Sequence, residues 1–310
     1  MKQYSILIIL LCFAYNGLFA IKGIENNKVK STAELVEILS SESFEGRKPG
    51  SNGMLKATSF ICNYLQAIKI PPFFNSYLDT LSVLGFESYN IVGVIESSHP
   101  TDDYILIGAH LDHLGKQESV IDSVFNGAND NASGVTAVLQ ISKELKNHSF
   151  NKHILIVLFT GEEYGLVGSN HLAKRLKRNK INLEYVINLE MIGVPLTKTP
   201  HQINISGFNK SNFARVSNLT LNENFIVRNE LDNTDFFFKH ADNYPFYTEF
   251  NIPSHTLSTF DIENYKYIHS VEDELSKLSI EHMDRIIDKL TTLIINLLKN
   301  NPTLELNTKT

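Results

Sequence analysis

Four short runs of this sequence are apolar on both alternations: "NIVGVIE" (90–96), "DYILIGA" (103–109), "HILIVLF" (153–159) and "YVINL" (185–189). Successive side chains of a strand point to opposite faces, so a half-exposed strand alternates apolar with polar. A strand without that alternation is buried on both faces, as in a parallel sheet covered by helices. Helical spacing appears at 133–146, with Val135, Val138, Leu139 and Leu145 on one face, between the second and third runs. The stretches 31–42, 53–68 and 280–299 carry the same period. Strands alternating with helices, with no Pro/Gly linker to divide them, predict an α/β fold. We expect a three-layer sandwich, its mostly parallel, mixed central sheet flanked by helices, as a single domain over 31–300.

The ends of the chain read differently. Residues 1–20, "MKQYSILIILLCFAYNGLFA", have one Lys, then an apolar run, then small residues ending at Ala20. That is the layout of a secretory signal peptide, so export to the periplasm or the extracellular space is expected. Asn16 and Gly17 interrupt the run before the roughly twenty apolar residues that a membrane span needs, so no stable membrane insertion is expected after cleavage. Loss of the leader leaves Cys62 as the sole cysteine and excludes an internal disulfide. Stability must then come from the core, for which 43% hydrophobic residues suffice, or from metal. The net charge of −6, with no Lys/Arg-rich stripe, argues against nucleic acid as a partner. Residues 301–310 read as a polar C-terminal tail.

Ligands of open α/β sheets bind beyond the carboxyl ends of the strands, and there this chain places its acids and histidines. "DYILIGA" runs into His110 and Asp112, "HILIVLF" into Glu162 and Glu163, and "YVINL" into Glu190. Asp130 is the one acid of "GANDNASG" (127–134), and His269 follows far downstream in "YIHSVEDE". Imidazole and carboxylate are the oxygen and nitrogen ligands of zinc. Two histidines and three carboxylates exceed what one tetrahedral ion takes; they suit two ions that share a carboxylate and activate water for hydrolysis. A shared acid needs a tight backbone without bulky neighbours, which "GANDNASG" supplies. His99, His113, His148, His153 and His240 lack such a context and are expected to hold no metal.

The ordered set "FEGRKPGS", "YNIVGVIE", "IGAHLDHLG", "NGANDNASGVTAVL", "LFTGEEYGLVGS", "INLEMIG" and "YIHSVEDE" resembles the co-catalytic di-zinc aminopeptidase family. That family includes the glutamate carboxypeptidases and, more distantly, the glutaminyl cyclases. The resemblance implies two Zn(2+) ions per chain and peptide substrates, hydrolysed at N-terminal, apolar residues. It makes Asp130 the bridging ligand, with His110 and Glu190 completing one site and Glu163 and His269 the other. Glu162 becomes the general base, and Asp112 orients His110. The Asp130–Asn131 peptide bond is expected to be cis, and Met191 and Ile268 to line the S1 pocket. A protease-associated domain between "GRKPG" and "NIVGV" is not expected, because only about 40 residues separate them.

Some positions depart from the family pattern. Glu190 stands where many relatives have Asp, and the family's "SDH" is Ala241, Asp242 and Asn243. The family's oxyanion-stabilising tyrosine has no match; Phe238 is the nearest aligned position, and Tyr244, Tyr247 and Tyr267 stay open. A glutaminyl-peptide cyclotransferase and a non-catalytic, receptor-like binder remain alternatives. The absence of Trp speaks against the first and the complete set of metal-competent side chains against the second.

Overall fold

The structure, a computed structural model, describes residues 30–117, 123–228 and 235–307. The leader expected at 1–20 lies outside these residues. In chain order the strands are β1 (Leu78–Val83), β2 (Phe86–Ile95), β3 (Asp103–His110), β4 (Gly115–Lys116), β5 (Val124–Phe125), β6 (His153–Phe159), β7 (Asn182–Leu189), β8 (Ile203–Ile205), β9 (Ile226–Arg228) and β10 (Ser254–Ser258). The α-helices are α1 (Thr32–Leu39), α2 (Asn52–Ala67), α3 (Gly134–Leu145), α4 (Val167–Arg178), α5 (Phe213–Leu221), α6 (Phe236–Lys239), α7 (Asn243–Phe250) and α8 (Ile280–Asn300).

Among the described residues, eight strands form one sheet in the order β1-β2-β6-β3-β7-β10-β8-β9. The central β6, β3, β7 and β10 run parallel. β2 is antiparallel to β6, and β8 to β10, so the sheet is mixed toward its edges. The expected sandwich of mostly parallel, mixed sheet between helices is what forms.

The unalternating strands explain the layering. Ile105, Leu106 and Ile107 are all fully buried, yet they face opposite sides. Ile105 and Ile107 join the core built with Val135 and Val138 of α3 and Ile286, Leu290 and Leu293 of α8. Leu106 joins Leu155 and Val157 of β6, Leu172 and Leu176 of α4 and Phe246 of α7 in a second core. Each such side chain contributes about 1.5–3 kcal/mol by leaving water. α1 begins at a capping box, in which Ser31 Oγ accepts the N–H of Glu34 and the Glu34 carboxylate accepts the N–H of Ser31. The segment after α8 is fastened to the fold: Leu306 bridges to Ser211, and the N–H of Glu305 donates to Asn212 Oδ1 at 3.0 Å.

Candidate metal centre

The parallel order of β6, β3, β7 and β10 brings their carboxyl ends to one edge. There β3 delivers His110 as its last residue, with Asp112 two residues on. The turn after β6 carries Glu162 and Glu163, and Glu190 follows the last residue of β7. His269 arrives from the loop after β10 in a left-handed conformation, φ 53°.

The "GANDNASG" loop is shaped by close backbone contacts. Gly127 has φ 56°, and a Cβ there would fall 2.2 Å from the Asp130 carbonyl oxygen and 2.6 Å from the His113 ring. Only glycine fits both the conformation and the space. The loop's asparagines reach across to β7. Asn131 Nδ2 donates to the Leu189 carbonyl at 3.0 Å, and Asn131 Oδ1 accepts the N–H of Met191 at 3.1 Å. Asn129 Oδ1 accepts the N–H of Gly193 at 2.8 Å. These bonds bracket Glu190 and fix it relative to Asp130. The Asp130–Asn131 bond is cis, as expected.

Two buried charges hold the same loop by its main chain. Arg47, 1% exposed, donates from Nη1 to the Asn126 and Leu39 carbonyls at 2.7 and 2.6 Å. Its Nη2 donates to Gly127 at 2.9 Å and its Nε to Leu111 at 2.8 Å. From the other side the Asp273 carboxylate accepts the N–H groups of Asn129 and Asp130 at 2.7 and 3.0 Å, and the Tyr265 hydroxyl.

Asp130 stands at the centre. His110 Nε2 lies 3.2 Å from its Oδ1, and His269 Nε2 lies 3.3 Å from its Oδ2. His269 Nε2 is also 3.0 Å from Glu163 Oε2, whose Oε1 is 2.7 Å from His113 Nδ1. His110 Nδ1 lies 3.1 Å from the Asp112 carbonyl oxygen. Nδ1 therefore donates to that carbonyl, which leaves Nε2 aimed at the Asp130 carboxylate. Between Nε2 and Oδ1 there is room for a proton or, in its place, a metal ion. His110, Asp130 and Glu163 each offer a ligand atom within 4.8 Å of the others.

The charge balance makes the same demand. Six buried or half-buried carboxylates, those of Asp112, Asp130, Glu162, Glu163, Glu190 and Asp242, meet here. Burial, reinforced by neighbouring acids and opposed by His110, pushes Glu190 up to about 8, Asp112 to about 7 and Glu162 well above the usual range. His269 is raised to about 10 by its bonds to Asp130 and then Glu163. His110 is raised despite its burial, by Glu162, Asp130 and Glu190. The imidazoles thus take up the positive charge that the carboxylates require, and the donor set fits zinc.

The structure brings together His110, Asp112, Asp130, Glu162, Glu163, Glu190 and His269. Asp112 meets His110 through its carbonyl rather than its carboxylate, which instead accepts the N–H of Glu162 at 3.2 Å. Met191 and Ile268 border a cavity of about 70 Å³ beside Glu190. His113, set aside in the sequence, faces Glu163 and is fully buried, because the chain turns after Asp112 and the His113 N–H donates to the Arg47 carbonyl at 3.3 Å. Asp242 was read only as a departure from a motif. It is fully buried, neither oxygen has a hydrogen bond of good geometry, and burial pushes it up to about 6. His153 stacks on Tyr104 and His240 on Phe236, and His148 lies tilted against Phe150. Of the tyrosines left open, Tyr244 and Tyr247 pack edge-on to Phe238, and Tyr267 packs on Tyr265.

Residues 90–294 match Peptidase family M28. Aminopeptidase YwaD of Bacillus subtilis is 29% identical over 223 residues, covering 68% of this chain and 45% of its own. The chain spans less than half the length of the curated relatives it matches. LapB from Legionella pneumophila superposes with a TM-score of 0.70 at 19% identity, over 86% of this chain and 71% of its own. Porphyromonas gingivalis glutaminyl cyclase superposes with a TM-score of 0.66 at 16% identity, over 86% and 96%. At these identities the two structures share the fold.

Proposed function

Because the chain belongs to Peptidase family M28, we propose that it is a zinc-dependent aminopeptidase that acts on peptides with a free N-terminus. One observation carries the reading: the two oxygens of Asp130 are engaged by different imidazoles, Oδ1 by His110 and Oδ2 by His269. A carboxylate held in that way suits a ligand shared by two ions. His110 and Glu190 would complete one zinc site and Glu163 and His269 the other.

When bound, zinc supplies a Lewis acid that polarises the scissile carbonyl and makes water a competent nucleophile near neutral pH. The protein's own groups do the rest. Glu162 has its carboxyl raised by burial and by neighbouring acids, which suits it to take a proton from the attacking water and hand it to the leaving amine. Asp112 fixes the Glu162 main chain with its carboxylate and the His110 ring with its carbonyl. The cavity beside Glu190, walled by Met191, Phe237, Phe260 and Ile268, receives the side chain of the first residue. Besides the acid Glu190 its lining holds His240 and no Lys or Arg, so neutral residues should be preferred to aspartyl ones.

The zinc-loaded protein is given a leucyl peptide with a free amine, its N-acetylated twin and a peptide that begins with Gln. Cleavage of the first, with the second untouched, is expected. Ammonia release from the third without cleavage of the first would instead mark a glutaminyl cyclase, and inertness toward all three a binding protein. Residues 1–20 support an exported enzyme; N-terminal sequencing of the mature protein should begin at Ile21.

A further inference from the structure

The cavity beside Glu190 is lined by Met191, Phe237, Phe260 and Ile268 and by the imidazole of His240, while the residues that β8 and β10 give it, its floor, are polar. Asn204, on β8, and Ser206, just after it, both line it, and each is 7% exposed. Both side chains reach the cavity from the end of β8, where a turn begins at Ser206. Thr256 and Ser258 also border the cavity, but their hydroxyls are engaged elsewhere. Thr256 Oγ1 donates to Asn243 Oδ1 at 2.7 Å and accepts from Asn188 Nδ2 at 3.0 Å. Ser258 Oγ donates to the Met191 carbonyl at 3.3 Å and accepts the N–H of Phe260 at 3.0 Å.

Asn204 and Ser206 are only half used. Asn204 Nδ2 donates to the Phe260 carbonyl at 3.2 Å, which fixes the amide so that Oδ1 is its free end. Ser206 Oγ accepts the N–H of Thr256 at 3.1 Å and keeps its own proton to donate. Among the described residues neither Asn204 Oδ1 nor the Ser206 hydroxyl proton has a partner. The floor therefore presents one acceptor and one donor, both on residues nine-tenths buried, beneath mostly apolar walls. An aliphatic tip would drive water from both groups and return no hydrogen bond. A carboxylate would set its oxygens against Asn204 Oδ1, and an ammonium, which only donates, would leave the Ser206 hydroxyl without an acceptor.

Resting on the exopeptidase reading above, we infer that the pocket selects an N-terminal residue whose neutral side chain has an apolar stem and a tip that both donates and accepts. A carboxamide answers both groups at once: its NH2 donates to Asn204 and its oxygen accepts from Ser206. The substrate class is peptides that begin with asparagine or glutamine, ahead of those that begin with an aliphatic residue of the same size.

Asparaginyl and leucyl anilides are nearly isosteric and separate the tip's polarity from its volume. We expect the zinc-loaded wild type to show kcat/KM for asparaginyl about 10- to 100-fold above leucyl, the cost of leaving a buried polar group unpaired. Ser206→Ala and Asn204→Leu should each collapse that ratio toward one. Leucyl turnover that equals or exceeds asparaginyl turnover in the wild type overturns the inference and leaves the aminopeptidase reading standing. A ratio unchanged in both variants also overturns it. No turnover of either anilide overturns the two readings together.

Discussion

Replacing Arg47 by Lys tests whether the metal loop is held by a fork or merely by a charge. The guanidinium serves four carbonyls, those of Leu39, Leu111, Asn126 and Gly127, at 2.6 to 2.9 Å. It is 1% exposed, and although burial lowers its pKa to about 10 it stays protonated near neutral pH. A lysine offers its donors from a single point and cannot span acceptors set around a planar fork. It should keep about two of the four bonds. Each buried bond to a charged donor is worth about 1.5–3 kcal/mol, so losing two should make Arg47→Lys cost about 3–6 kcal/mol. Against a total stability of about 5–15 kcal/mol that is a large fraction. Urea unfolding of the zinc-free variant should show a lower midpoint with an unchanged slope. Zinc affinity, measured by chelator competition, should fall about 10- to 100-fold, because Leu111 and Gly127 lie beside His110 and the Asp130 loop. An Arg47→Lys protein within 1 kcal/mol of wild type, and with unchanged zinc affinity, would show that the loop does not need the fork.

Glu162→Gln should leave zinc content intact while kcat falls by about two to four orders of magnitude, whereas Glu163→Gln should lose zinc and recover part of its activity in excess metal; the opposite pattern would mean that the two roles are exchanged. Asp273→Asn exchanges an acceptor oxygen for a donor that faces main-chain N–H groups, and should weaken zinc binding about 10- to 100-fold by calorimetry; unchanged binding would confine Asp273 to a structural role. His255 is buried, with its pKa lowered from 6.5 to about 4 by desolvation, so the unfolded chain binds this proton first as pH falls. Its neutral form contributes stability above pH 6.5 that is lost down to about pH 4, about 3 kcal/mol in all, and His255→Gln should flatten the dependence of unfolding free energy over that window.

The sheet was legible where strands are buried on both faces. β3 and β6 follow the runs at 103–109 and 153–159 almost residue for residue, because burial on both sides leaves an unbroken apolar run. β8 and β9 are three residues each, and β10 reads "SHTLS", whose Ser254, His255 and Thr256 side chains are satisfied by Asn243, the Ser206 carbonyl and Asn188 rather than by water. No periodicity marks such strands. α4, "VGSNHLAKRLKR", was missed because its apolar stripe is narrow and its outer face basic. The metal residues were legible because they fall at strand ends in a fixed order. Arg47 and Asp273 were not, because they act on main-chain atoms, and a grip on the backbone leaves no mark in the sequence of the segment being gripped. The asparagines of "GANDNASG" were read as slender neighbours, whereas Asn129 and Asn131 are the ties between the loop and β7.

The strand order has a kinetic consequence. Neighbours β7 and β10 are separated in sequence by α5, α6 and α7, and the residues around Asp130 come from as far apart as His110 and His269. Contacts of such long range form late on a folding route, after loop closure has been overcome. A cation held by His110, Asp130 and His269 therefore has no site to occupy until the sheet is nearly complete, and it stabilises the native state after the main barrier rather than the barrier itself. Zinc bound there would then act as a brake on unfolding: it would lengthen the lifetime of the finished protein and leave the rate of reaching it almost untouched.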